Sequence, residues 1–157
     1  TALKNAQKLV RENDFSQSID LRLQKNPAHI FTGIISAKEY YDFSMCNPPF
    51  HASAQEASAA TNRKRANLKL GKDAKLNFGG RCHELWTKGG EKAFLSRMIE
   101  ESAAFSRSVG WFTSLVSKAE TLAPLERKLK AVKAFETKII PMSQGQKKSR
   151  ILCWRFE

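Results

Sequence analysis

Cysteine is scarce. The 157 residues hold three, Cys46, Cys82 and Cys153. They are too few and too scattered for the disulfide framework of a small secreted domain, so a reducing cytoplasm is the expected compartment. No apolar run approaches the roughly 20 residues that a bilayer span needs. The N-terminus reads as a helix with charges spread through it. It lacks the basic patch and apolar stretch of a secretory signal. No internal repeat and no second domain is visible. Acidic residues are also in short supply, with 15 Asp plus Glu against 27 Lys plus Arg, a net charge of +12. What is present suffices for one packed core: 41% apolar and 10% aromatic residues exclude a disordered tail.

The charge is unevenly spread. Residues 1–60 are neutral, whereas the 21 residues of 61–81 carry half of the net charge. Arg63, Lys64, Arg65, Lys69, Lys72, Lys75 and Arg81 stand there against Asp73 alone. Such a block repels itself unless something anionic meets it. It is either a solvated loop or a phosphate-contacting arm, and its neighbours favour the arm.

Hydrophobic periodicity orders the elements. Leu3, Ala6, Leu9 and Val10 share one face of a helix over 2–12, which Asn13-Asp14 ends. Ile19–Leu23 alternates and reads as a strand closed by Pro27; His29–Ile35 reads as a turn or minor strand. Tyr41–Cys46 reads as a buried strand that runs into Asn47-Pro48-Pro49-Phe50. Two prolines cannot continue a ladder, so the chain leaves the sheet there. Residues 52–90 form a long basic connection with two Gly-Gly pairs and room for a short helix over 52–60. Connections of that length are usually functional or disordered. Glu91–Phe105 is the clearest helix, with Phe94, Leu95, Met98, Ile99 and Phe105 as its stripe. Val109–Val116 reads as a strand buried on both faces. Thr121 is the expected cap of a helix with Pro124 in its first turn and Leu122, Leu125, Leu129 and Val132 along one side. Strands at Phe135–Met142 and Ser149–Phe156 flank a polar turn over 143–148. The alternation predicts a three-layer α/β fold with a largely parallel sheet and one antiparallel strand in a C-terminal hairpin.

In such sheets ligands bind at the carboxyl ends of strands, where Asn47-Pro48-Pro49-Phe50 stands. An exocyclic ring amine is a poor nucleophile because its lone pair is delocalised. The Asn47 side-chain oxygen and the Pro48 carbonyl can accept both of its N–H bonds and favour a tetrahedral nitrogen. Pro48 and Pro49 hold these acceptors in place. Phe50 offers a stacking face worth about 1–3 kcal/mol to a base. An ordinary strand-ending turn also uses Asn and Pro, but the position after an apolar strand favours chemistry. Metal binding is not expected. Cys82-His83 with His51 matches no zinc spacing, and Cys46 reads as a buried apolar residue. Trp111 and Phe112 read as core. Trp86 and the segments Phe78-Gly79-Gly80 and Gly89-Gly90-Glu91 fit either turn chemistry or a site role. Lys147, Lys148 and Arg150 in the last hairpin fit either a solvated turn or phosphate contacts.

The strings MCNPPFH, NRKRANL, LNFGG, ELWTKGGE, FLSRMIEES, WFTSLVSK, MSQGQKKSR and CWRF resemble, in this order, the ribosomal RNA large subunit methyltransferase F family. These are S-adenosylmethionine-dependent amino methyltransferases. A weaker similarity, through MCNPPF, GGE and the Gln-Gly pair, reaches eukaryotic relatives that methylate spliceosomal small nuclear RNA. The resemblance covers essentially the whole chain. It implies a Rossmann-like class I methyltransferase fold and S-adenosylmethionine as methyl donor. It also implies the N6 amine of an adenine in 23S ribosomal RNA as target, in free RNA or a large-subunit assembly intermediate. It implies that Asn47 and Pro48 bind the amine, that Asn47 also meets the donor's methionine end, and that Phe50 stacks on the adenine. Arg63, Lys64, Arg65 and Lys69 are then phosphate contacts. The family's fold begins with a strand, a Gly-rich turn and a second strand, none of which is found here. The chain is therefore expected to be the C-terminal half of a single methyltransferase domain. Ile19–Leu23 should then lack a neighbour within it, and donor binding by the fragment alone should be weak or absent. DNA adenine or a protein glutamine amide would suit the motif equally, and a non-catalytic RNA-binding or ribosome-assembly module would suit the charge.

If the basic block grips RNA, neutralising Arg63, Lys64 and Arg65 lowers the slope of log affinity against log salt. The expected drop is about 0.7 per lost contact. An unchanged slope assigns the block to solubility.

Overall fold

A computed structural model describes residues 2–56, 86–144 and 147–157. The basic block, Phe78-Gly79-Gly80, Cys82 and His83 lie outside the described residues. The chain divides into two compact units, one up to Glu39 and one of Tyr40–Glu157.

The first unit opens with helix α1 (Ala2–Glu12). It ends as its sequence requires, though without glycine. Asp14 takes the left-handed conformation (φ 57°). The Phe15 N–H then donates to the Val10 carbonyl (2.9 Å) and the Asp14 N–H to that of Arg11 (3.3 Å), the Schellman pattern of helix termination. Residues 19–23 form no strand. Extended backbone becomes a strand only with a ladder partner, and none is supplied among the described residues. The segment is instead held by Arg22, whose guanidinium grips Glu39 through two bonds of 2.6 and 2.8 Å, and also reaches Asp20 and the Ile34 carbonyl (both 2.7 Å). The two-pronged Arg–carboxylate geometry is the strongest form of such a pair. Residues 29–35 are turns around the buried Phe31.

The second unit carries a four-stranded sheet: β1 (Tyr41–Cys46), β2 (Val109–Val116), β3 (Glu136–Gln144) and β4 (Lys147–Arg155), in spatial order β1-β2-β4-β3. β1 and β2 are parallel, and β4 is antiparallel to both β2 and β3. Three strands therefore run one way and only β4 runs against them, as the sequence predicts. The hairpin strands extend further into the polar turn than expected, with Gln144 opposite Lys147. Pro141 is tolerated because β3 pairs on one side only.

Helices α2 (Gly90–Ser102) and α3 (Leu122–Ala131) pack on one another and α2 on β2. α2 buries Glu91, Leu95, Met98, Ile99 and Ser102, the spacing of one helix face. Phe94 and Phe105 are only half-buried, and Phe105 lies in a 3-10 turn rather than in α2. The core closes where Trp154 stacks on Phe112 (centroids 5.8 Å apart) and its indole N–H donates to Ser102 Oγ (2.9 Å). Thr121 does not cap α3. It is itself in helical conformation, makes no capping bond and is buried at the end of a 3-10 turn.

The approach of β1 to β2 is close at Gly110. A Cβ there would stand 2.7 Å from the Asp42 carbonyl oxygen and 2.7 Å from the Tyr40 hydroxyl. Gly110→Ala must push the strands apart and should cost about 1–3 kcal/mol. The check is a fall in the urea midpoint with an unchanged m value. An unmoved midpoint would show that β1 yields freely.

Candidate active site at the ends of β1 and β2

The register aligns Cys46 of β1 with Ser114 of β2, so both strands release the chain on the same edge. Side chains reinforce this alignment. Thr113 Oγ1 donates to the Ser44 carbonyl (2.7 Å) and Ser114 Oγ to that of Cys46 (3.4 Å). Burial pushes the Cys46 thiol above its ordinary range, against the opposing hydrogen bond from Ser114. That suits a packing residue, not a nucleophile.

Asn47 emerges exposed at the strand end, Pro48 is fully buried, and Pro49 and Phe50 are half-buried. The buried Pro48 anchors the turn, while the Asn47 amide faces outward. After Phe50 the chain pairs with a returning loop. His51 bridges Trp86, and the Thr87 N–H donates to the His51 carbonyl (3.0 Å). Trp86 thus has a structural place in the site wall. Gly89 and Gly90 follow with φ of 82° and 63°, values that side chains rarely tolerate. A Cβ on Gly90 would touch Ala52 at 3.5 Å. The Gly-Gly pair therefore brings the start of α2 against the backbone two residues beyond Phe50.

A cleft of about 260 Å³ lies at this junction, lined by Phe50, Ala52, Glu56, Gly90, Lys118 and Thr121 among others. A hollow of about 540 Å³ is lined by Phe43, Met45, Asn47, Thr113, Ile140 and Met142 among others. The motif thus touches two spaces, the hollow through Asn47 and the cleft through Phe50. Phe43 and Met45 are 59% and 81% exposed, so the hollow is an open apolar face, and β1 is a strand but not the buried one expected from its residues.

Of the expected phosphate contacts, Arg63, Lys64, Arg65 and Lys69 lie outside the described residues, as does the Lys147 side chain. Lys148 is exposed, and Arg150 sits opposite Val116 at the end of β2. Arg150 Nη1 lies 3.5 Å from the Ser117 carbonyl oxygen. Three further β3–β4 pairs lie beyond Arg150. At about 3.3 Å per residue, the hairpin extends about 10 Å beyond the end of β2.

Two features escaped the sequence reading. Ser53 and Glu56 form a variant of the capping box around the turn after the motif, with the Glu56 carboxylate reaching one residue further back, to Ala52. The Glu56 N–H donates to Ser53 Oγ (3.2 Å), and Glu56 Oε2 accepts from the Ala52 N–H (2.8 Å). The S-x-x-E spacing is its signal. Glu91 is the second: the segment Gly89-Gly90-Glu91 fits a turn or a site role, but the sequence does not predict a carboxylate in the buried stripe, four residues before Leu95. Among the described residues no cluster of three His, Cys, Asp or Glu could hold a metal ion, and no helix is long and apolar enough to cross a membrane.

A family model described as RNA methyltransferase matches residues 1–157. The ribosomal RNA large subunit methyltransferase F of Bacteroides thetaiotaomicron is 53% identical over 158 residues, covering 99% of this chain and 52% of that protein. The protein of that name from Salmonella newport is 51% identical over 156 residues, covering 99% and 51%. The chain thus spans about half the length of the curated relatives it matches. The human METTL16 catalytic domain in complex with the MAT2A 3′UTR hairpin 1 superposes with a TM-score of 0.78 at 28% identity, over 99% of this chain and 52% of that one. The N-terminal domain of human METTL16 in complex with SAH shares the fold, with a TM-score of 0.68 at 22% identity over 99% and 48%.

The Ala52 N–H bond lowers the Glu56 pKa, outweighing desolvation, and the charges of His51 and Lys118 add to the effect. A depressed carboxylate stabilises its contact above its unfolded pKa and loses that contribution as pH falls through the folded value. The Ala52 amide shift should therefore titrate at a pH below the ordinary Glu range, and Glu56→Gln should abolish the inflection. An inflection at the ordinary value would remove the cap.

Proposed function

The chain belongs to the RNA methyltransferase family, and from that premise we propose that it carries the amine-binding half of a site for S-adenosylmethionine-dependent methyl transfer to the N6 of an adenine in 23S ribosomal RNA. The supporting observation is the strand end itself, with an exposed Asn47 amide beside a fully buried Pro48 and a half-buried Phe50 lining a cleft. The names of the relatives, ribosomal RNA large subunit methyltransferase F, support the choice of RNA. A large-subunit RNA or assembly intermediate as partner places the reaction in the cytoplasm.

Asn47 Oδ1 and the Pro48 carbonyl accept the two N–H bonds of the amine and orient its lone pair. The exposed Asn47 oxygen is ready for the amine, whereas Pro48 is fully buried, so its ring anchors the turn and its carbonyl must be uncovered as the base enters. Phe50 stacks on the adenine once the base is unstacked from its neighbours. The bound donor supplies an electrophilic methyl on a sulfonium sulfur. Asn47 fits the donor's methionine end, since it lines the hollow and is open. Among the described residues no acidic side chain lines the hollow to take ribose hydroxyls, so these account for one end of the donor only. The nitrogen would take the methyl as the sulfur–methyl bond breaks and its electron pair stays on the sulfur as a neutral thioether; the cationic amine then gives up one proton to water, so no general base is needed. Lys147, Lys148 and Arg150, with Arg63, Lys64, Arg65 and Lys69, contact phosphates and position the RNA.

The test is nucleoside mass spectrometry of ribosomal RNA incubated with isotopically labelled donor and the natural polypeptide that carries this sequence. Labelled N6-methyladenosine is expected. Asn47→Ala should lose about a hundredfold or more in kcat with an unchanged unfolding midpoint, because the side chain is exposed. Near-normal turnover by that variant removes Asn47 from the chemistry. Absence of any label redirects the assignment to another amine or to a non-catalytic RNA-binding module.

A further inference from the structure

We propose that Glu91 is a positioning residue of the methyl-transfer site, an inference that rests on the function proposed above. Glu91 is 3% exposed. A buried carboxylate is costly unless its oxygens are bonded, and an apolar residue would continue the α2 stripe just as well. Its oxygens are spent on one short segment. Oε2 accepts from the Ser117 N–H (2.8 Å) and from the Ser117 hydroxyl, and the Lys118 N–H points at Oε1 (3.4 Å). Ser117 and Lys118 are the first two residues beyond β2. Placement in the first turn of α2 adds a favourable interaction with the helix dipole.

The clamp spans the site. On one side, Gly90 lies near enough to Ala52, just past Phe50, that an added Cβ would stand 3.5 Å from it. On the other, the Glu91 carboxylate holds the segment that leaves β2. Phe50, Gly90, Glu91 and Lys118 all line the same cleft. Glu91 therefore sets the distance between the two lips of the mouth, where β1 and β2 release the chain. It touches no reacting atom. It acts through the position of Phe50 and of the turn at Ser117. A misplacement of about 1 Å in a reacting geometry can cost about a hundredfold in rate.

The experiment uses the natural polypeptide, with kcat and the KM for ribosomal RNA measured at a temperature where circular dichroism shows each variant folded. Glu91→Ala should lower kcat by about 10- to 100-fold and leave the KM for RNA unchanged. Glu91→Gln should recover most of the loss, since its remaining oxygen still accepts from Ser117. Ser117→Ala should fall between them, and the Glu91→Ala/Ser117→Ala pair should be non-additive in kcat. If Glu91→Ala does not fold, the Glu91→Gln and Ser117→Ala results decide alone. Wild-type kcat in the folded variants, additive effects, or a rise in KM without a fall in kcat would overturn the proposal. If the wild type itself makes no N6-methyladenosine, the function is wrong and the clamp is judged separately. Amide hydrogen exchange at Ser117 and Lys118 should then accelerate in the Glu91 variants, and unchanged exchange would reject the clamp.

Discussion

Parallel pairing of β1 with β2 is the constraint from which the site follows. Two strands that run the same way deliver their chains to the same edge, and the register places Cys46 beside Ser114 there. Asn47 and Ser117 therefore leave the sheet as neighbours, although 70 positions separate them in the sequence. A slip of one residue would turn every side chain of β1 to the other face. The hydroxyl bonds from Thr113 and Ser114 to β1 carbonyls oppose such a slip, and the close approach at Gly110 marks where the strands are tightest.

Buried polar groups in this unit are concentrated where elements must be held at fixed separation. Ser102 joins α2 to β4 through the Trp154 indole, and it returns its own proton to the Ile99 carbonyl (2.7 Å). Glu91 joins α2 to the segment beyond β2. Elsewhere the core is Leu, Ile, Val, Phe and Trp. Apolar packing tolerates small sliding, whereas a satisfied hydrogen bond fixes distance and direction. The polar residues therefore set spacing, and the apolar ones supply the bulk of the stabilisation.

Much of this was legible in the sequence, for identifiable reasons. Tyr41–Cys46, Val109–Val116 and the stripe through Leu95, Met98 and Ile99 are periodic, so pattern alone locates them. The turn at Asn13-Asp14 was legible as an end, and the left-handed Asp14 explains it. Ile19–Leu23 has the pattern of a strand but lacks a ladder, which depends on what lies beside it and not on its own residues. Thr121 has a capping residue's chemistry, yet the chain reaches α3 already wound, and no free N-terminus remains for it to cap. The motif at Asn47–Phe50 could be placed at a strand end from its prolines. Gly89-Gly90-Glu91 could be marked as a candidate segment, but the role of Glu91 could not be read, because a charged residue in an apolar stripe has meaning only when its partners, 26 and 27 positions away, are known.

The order of strands in the sheet differs from their order in the chain. β4 is the last to be synthesised, yet it lies between β2 and β3. Until residues 147–155 have left the ribosome, β3 has no neighbour and the far edge of β2 stands open. β4 must then enter a gap between two strands, both of which wait with unpaired backbone groups. The core indole on Trp154 arrives at that moment too. Joining of β3 to the sheet is thus a late event that waits for β4, whereas β1 and β2 can pair before it. A ribosome that stalls within this hairpin would leave a nascent chain with unpaired sheet edges and without the Leu152 and Trp154 side of its core.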